Sequence, residues 1–73
     1  MYTNIEFYIP ENNNVTLKIF NTLGQEIEEI VSETFAAGIY KYQWDASNYA
    51  SGLYIYKIIV GDKIESKKLL LLK

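Results

Sequence analysis

The side chains best able to do chemistry in this sequence are carboxylates that lie close together in one short stretch. They are Glu26, Glu28, Glu29 and Glu33. Such a group could in principle collect Ca²⁺, but that ion takes about six to eight oxygen ligands from a loop with interspersed Asp, Asn and Gly. The stretch lacks that pattern. We therefore expect a solvated strand edge whose charge discourages pairing with another edge.

Other catalytic chemistry has little support. The 73 residues include no His and no Cys, which removes the commonest general base, the commonest metal ligand and every thiolate. Asp45 and Asp62 stand without a second carboxylate at a recognisable spacing, so we interpret them as turn residues. The sequence predicts no catalytic residue, no metal site and no cofactor.

Charge and hydropathy exclude two further classes. The formal net charge is −2 and the lysines lie mainly near the C-terminus, so no basic stripe favours nucleic acid. The longest apolar run, Leu69 to Leu72, is far shorter than the roughly 20 residues that span a bilayer. No basic segment followed by an apolar one opens the chain, so no secretory signal is predicted in it.

Alternating apolar residues predict strands in the first third of the chain. One strand covers residues 4–9, with Ile5, Phe7 and Ile9 on one face, and a second covers residues 15–20, with Val15, Leu17 and Ile19 inward. Gly24 occupies the turn position that requires a positive φ. The stretch 26–33 is ambiguous because its Ile and Val spacing and its glutamates favour a helix. We predict a short strand at 26–31, since a helix there would leave the sheet one strand short.

The second half predicts a strand and a closing hairpin. Residues 39–44 alternate so that Tyr40, Tyr42 and Trp44 share the face expected to enter the core. A strand from Leu53 to Val60 and the C-terminal leucines then flank Gly61-Asp62, which can supply a tight hairpin turn. Six strands at about 10-residue spacing predict an all-β, immunoglobulin-like antiparallel β-sandwich of about six to seven strands.

Gly52 and Tyr54 have the spacing of the tyrosine corner in Greek-key sandwiches, where the hydroxyl bonds the main chain just upstream. Tyr56 then stands where antibody domains carry a cysteine, and we assign it to the core. The segment Gly38-Ile-Tyr-Lys-Tyr is similar to the segment that starts at Gly52, fourteen residues later. We interpret the similarity as two strands that begin in the same way and not as a repeat array, because such an array needs three or more units.

The C-terminal run from Lys67 to Lys73 holds four consecutive leucines. On a strand, Leu70 and Leu72 lie on one face and Leu69 and Leu71 on the other, so one pair cannot enter the core of the domain. Two interpretations stay equal at this point. Either loops bury the strand on both sides, or one pair forms an exposed apolar surface, rimmed by lysine, that docks a partner.

Five stretches in chain order resemble a known family. They read Ile-Pro-Glu-Asn-x-x-Val-Thr-Leu-Lys-Ile-Phe-Asn-x-Leu-Gly-Gln-Glu, Ala-Gly-x-Tyr, Trp-Asp-Ala-Ser-x-x-x-Ser-Gly-Leu-Tyr-Ile-Tyr-Lys, Gly-Asp, and Lys-Lys-Leu-Leu-Leu-Leu-Lys. Together they make the chain similar, from about residue 3 to residue 73, to the type A C-terminal sorting domain of the bacterial type IX secretion system.

The resemblance implies a non-catalytic signal domain fused behind a cargo, read by an outer-membrane translocon and usually removed by a surface sortase. It implies passage through the periplasm and outer membrane to the cell surface or the medium. The family's signature parts are carried over to the following residues: Gly52, Tyr54, Lys67, Lys68, Leu69, Leu70, Leu71, Leu72 and Lys73. Such domains normally begin with Pro-Asn-Pro, which does not occur before Tyr2. We therefore expect residues 1–73 to be one domain and a fragment of a larger secreted protein.

Two other functions stay open from the sequence. The flagellar hook-capping protein contains a similar immunoglobulin-like domain, which would make this chain a structural assembly module. An accessory carbohydrate-binding module of a secreted enzyme would need at least two coplanar, exposed rings among Tyr8, Tyr42, Tyr49 and Tyr56. An unpaired edge strand would also allow the domain to self-associate.

Overall fold

Residues 2–72 are described by a computed structural model and form six strands. In chain order these are β1 (Tyr2–Ile9), β2 (Asn13–Phe20), β3 (Glu26–Phe35), β4 (Gly38–Asp45), β5 (Gly52–Val60) and β6 (Lys63–Leu71). The predicted all-β class is confirmed. None of the described chain forms a helix with the length and apolar character of a membrane span.

The strands form two antiparallel sheets, one with the order β1-β4 and one with the order β3-β2-β5-β6. An immunoglobulin sandwich places strands B and E in one sheet and C′, C, F and G in the other. The six strands reproduce that order when β1 takes the place of B and β6 the place of G. The immunoglobulin-like prediction is therefore confirmed for the strands present in residues 2–72.

The core lies between the two sheets and is built from alternate residues. On β1 and β2 these are the positions that the sequence predicted: Ile5, Phe7, Ile9, Val15, Leu17 and Ile19, all at most 6% exposed. Trp44 from β4 and Leu71 from β6 complete the far end at 2% and 1% exposed. Because each sheet buries one face only, the outward positions are left to solvent or to a partner.

β3 is a strand, as predicted, although its apolar residues have helical spacing. It also continues beyond the predicted end, to Phe35. The pairing with β2 skips two residues of β3: Leu17 pairs with Val31 but Lys18 with Glu29, and Ile19 pairs with Glu28 but Phe20 with Glu26. The skipped residues, Ile30 and Ile27, are β-bulges. Each bulge shifts the alternation of inward and outward side chains by one residue. The apolar residues Ile30 and Val31 therefore lie three and four positions after Ile27, which is the spacing of a helix.

The last hairpin has the predicted two-residue turn. Val60 pairs with Lys63 across Gly61-Asp62, and Gly61 has φ +61°, a conformation that favours glycine. A Cβ on Gly61 would also lie 2.8 Å from the Asn13 amide nitrogen. The turn thus fixes the register of β6 against β5 over its entire length, from Val60↔Lys63 to Gly52↔Leu71.

Candidate functional site

The C-terminal leucines are divided between two environments by the register of β6. Leu71 is 1% exposed in the core and Leu69 is half-buried, whereas Leu70 and Leu72 are 62% and 67% exposed on the opposite face. Lys68 shares the outward face, and Lys67 lies exposed on the inward one. Lys73, also predicted as a site residue, lies outside the described residues.

Leu70 belongs to a larger surface, which we name the outer β5–β6 face. The β5–β6 register places Leu53 beside Leu70, Ile55 beside Lys68 and Ile59 beside Ile64. Leu53 and Ile64 are 42% and 63% exposed, in addition to the two outward leucines. The face therefore consists of Leu53, Ile55, Lys57, Ile59, Ile64, Ser66, Lys68, Leu70 and Leu72, and the Lys57–Ser66 pair separates its two apolar parts. Exposed apolar side chains grouped in this way mark an interaction site in many proteins.

Lysines lie within this face and beside it on β2. The Lys57 ammonium lies 4.7 Å from the centroid of the Phe20 ring, in a cation–π arrangement. Lys18 pairs with Glu26 at 2.9 Å, and the hydrogen bond and charge of that carboxylate raise the pKa of Lys18. The apolar side chains consequently have lysines among and beside them, and Glu26 of β3 balances the charge of Lys18.

Gly52 and Tyr54 form a tyrosine corner. The Tyr54 hydroxyl donates to the Ala50 carbonyl at 2.7 Å, four residues upstream, and Gly52 has φ +154°. The similar segment that starts at Gly38 forms the same kind of corner at the start of β4, where the Tyr40 hydroxyl donates to the Ala36 carbonyl at 2.6 Å. Both corners turn the incoming chain into a strand, so the hydroxyl of Tyr54 is committed to the fold.

The four aromatic residues predicted for the core lie between the sheets or at their ends. Trp44 is buried, while Tyr40, Tyr42 and Tyr56 are half-buried and pack against the core cluster. Phe35, which the sequence did not single out, stacks edge-on with Tyr40 at 4.7 Å between centroids. Two aromatic groups result, one around Phe35 and the other around Trp44.

The expectation that the glutamates of β3 are all solvated is wrong for Glu28. Its carboxylate is half-buried and accepts hydrogen bonds from the Trp44 indole nitrogen at 3.1 Å and the Tyr49 hydroxyl at 2.9 Å. Glu28 faces inward because the Ile30 bulge places it, and not Glu29, opposite Ile19. No signal in the sequence locates that bulge.

The same contacts change the chemistry of Tyr49, which joins the β4–β5 loop to β3. Burial raises the pKa of its hydroxyl, and the hydrogen bond to Glu28 and the charge of that carboxylate raise it further. The folded domain therefore favours the neutral phenol.

The ring geometry does not meet the requirement of a carbohydrate-binding module. Of the four rings named for that function, Tyr8 is exposed and Tyr42, Tyr49 and Tyr56 are half-buried. Two coplanar exposed rings are thus not available among them. Within residues 2–72 no group of three acidic side chains could hold a metal ion either.

Fold and surface together define an immunoglobulin-like domain whose last strand contributes leucines both to the core and to the exposed surface. The family model of secretion system C-terminal sorting domains matches residues 2–72, and the chain belongs to that family. It is a type IX sorting domain, as its motifs indicated, and it directs export to the cell surface or the medium. No curated protein and no solved structure gave a significant match.

We predict that two adjacent leucines differ sharply in their contribution to stability. Leu71→Ala should lower the free energy of unfolding by about 2–5 kcal/mol, because it opens a cavity in the core. Leu72→Ala should change it by less than about 0.5 kcal/mol, because the side chain is exposed. Urea unfolding followed by Trp44 fluorescence measures both. Equal effects would show that the register of β6 is wrong.

The tyrosine corners generate a second prediction. Tyr54→Phe removes one hydrogen bond without removing the ring, so the free energy of unfolding should fall by about 1 kcal/mol. Tyr40→Phe should cost a similar amount, while Tyr8→Phe, on an exposed ring, serves as the control and should cost less than about 0.5 kcal/mol. If all three variants match the original protein, the hydroxyl bonds do not support the fold.

Tyr49 should make stability fall at high pH. The unfolded chain loses the phenol proton near pH 10, while the folded domain retains it to higher pH. The stabilising contribution is thus complete below about pH 10 and is lost as pH rises through the folded pKa. Denaturant unfolding from pH 8 to 11.5 measures this decline, which should be shallower in Tyr49→Phe. Parallel curves for the two proteins would contradict the assignment.

Proposed function

We propose that the outer β5–β6 face is the part of the sorting domain that the outer-membrane translocon recognises. The single observation that carries this proposal is the outward position of Leu70 at the paired end of β6 and of Leu72 one residue beyond it, where they do nothing for the core. Apolar side chains held on a rigid sheet lose little entropy on binding, which makes them effective docking residues.

The signature residues of the family divide into two roles in this proposal. Gly52 and Tyr54 shape the corner that starts β5, and Leu69 and Leu71 anchor β6 to the core. Lys68, Leu70 and Leu72 are left to contact the partner, and Lys73 is assigned with them from the resemblance. The partner should carry an apolar surface bordered by carboxylates, which complements the lysines beside the face.

The domain acts without catalysis, as a label on a larger protein. Residues 1–73 form one domain behind an N-terminal cargo, and a surface sortase that removes the domain is the second partner. Family membership supports these statements, since sorting domains of this kind are attached to cargo. The hook-cap alternative has no observation of its own in the structure.

An export assay tests the recognition surface. A reporter is fused in front of residues 1–73 in a bacterium with a type IX system, and reporter at the surface and in the medium is measured. Leu70→Ser with Leu72→Ser should reduce export by roughly tenfold, equivalent to about 1.4 kcal/mol of binding free energy. Deletion of residues 67–73 should abolish it.

The control must remove apolar area from a different surface. Leu23→Ser with Ile39→Ser is matched, because these side chains are 82% and 67% exposed and belong to the β2–β3 turn and to β4, not to the outer β5–β6 face. Export by this variant should equal that of the original domain. The thermal midpoints of both double variants should stay within a few degrees of it. Normal export by the Leu70/Leu72 variant would refute the proposed surface.

A further inference from the structure

Outward side chains form a row that crosses all four strands of the larger sheet. The registers place Lys68 of β6 beside Ile55 of β5. They place Phe20 of β2 between Ile55 and Glu26 of β3. This set, which we name the outer row, therefore carries a cation at one end, an anion at the other end and two apolar side chains between them.

The outer row is complementary to itself. A second copy, turned by 180° about an axis that runs parallel to the strands and between β2 and β5, faces the first copy with its strand order reversed. β3 of each copy then lies over β6 of the other, and β2 lies over β5. Glu26 consequently faces Lys68 of the other copy, and Phe20 faces Ile55. Because the contact is symmetric, each of these pairs occurs twice.

Both ends of the outer row are free to pair. The ion pair with Lys18 uses Oε1 of Glu26, and an ionised carboxylate can bind a second cation through its other oxygen. The Glu26 side chain is 41% exposed, and Lys68 is exposed as well. Packed sheets cross at about 30°, which displaces the ends of a row by about one residue. A lysine side chain is long enough to span that distance.

The neighbouring row keeps the association weak. Lys57 lies beside Lys18 there, so the turned copy brings these like charges together at the centre of the contact. Lys18 retains its ion pair with Glu26, which offsets part of the repulsion. Four strands about 4.8 Å apart and roughly eight residues long cover about 500 Å² per copy, or roughly 1,000 Å² in the pair. Interfaces of that size are typical of transient complexes.

We propose that the domain forms a reversible dimer with a second copy of itself, stacked through the outer face of the four-stranded sheet and aligned by two Lys68–Glu26 pairs. The stack covers Ile55 and Lys68, which belong to the outer β5–β6 face. Self-association thereby masks the recognition surface until a partner that binds it more tightly displaces the second copy. The masking rests on the proposed function, whereas the dimer rests on the outer row alone.

Exchange of charge between copies tests the alignment. Lys68→Glu places two carboxylates opposite each other at both ends of the contact, and Glu26→Lys places two ammonium groups there. Each variant alone should therefore dissociate at least about tenfold more readily than the original domain. In an equimolar mixture of the two variants, every opposed pair again has opposite charges. The mixture should form a heterodimer, which sedimentation velocity at protein concentrations up to the millimolar range measures.

A charge reversal on the small sheet provides the matched control. Lys41→Glu alters β4, where Lys41 lies 3.9 Å from Glu6, and its dimer should dissociate as the original does. Thermal midpoints within a few degrees of the original would show that all variants are folded.

Two results would overturn the dimer. They are a domain that sediments as a monomer throughout the concentration range, and a mixture that associates no better than its separate variants. Both would leave the export prediction for Leu70 and Leu72 standing. Normal export by that double variant, conversely, would refute the recognition surface and leave the sedimentation result unchanged.

Discussion

The register between β5 and β6 is the constraint on which the rest of this domain depends. Successive residues of a strand point to opposite faces, so a shift of one position would exchange every inward side chain of β6 for an outward one. Gly61 fixes the pairing at the turn, and Leu71 in the core fixes it at the far end. The same register therefore determines which leucines stabilise the domain and which remain available to a partner.

The fold was largely predictable because most strands follow simple alternation. β1, β2 and β4 place in the core the apolar or aromatic residues that period-two patterning assigned to it, and the Gly61-Asp62 turn has its expected chemistry. β3 was harder, since its two bulges give the strand an apolar spacing that resembles a helix. The argument that a helix would leave the sheet one strand short gave the correct element there, although local propensity favoured a helix.

The candidate site was predictable in outline and not in detail. Alternation showed that one pair of leucines had to leave the core, but it could not say which pair. That choice depends on pairing with β5, where Leu71 stands opposite Gly52 and Leu70 opposite Leu53. Glu28 shows the same limit, because a bulge and not the sequence pattern turned it toward Trp44. Contacts between distant segments therefore carried the missing information.

The position of β6 in chain order has a consequence for when the domain can work. β6 is the last of the six strands to be synthesised, and it contributes Leu71 to a core whose other members precede it. A polypeptide interrupted before this strand lacks both the closing side chain and the outward leucines. If the proposed recognition surface is correct, the signal is therefore complete only after everything upstream has been translated.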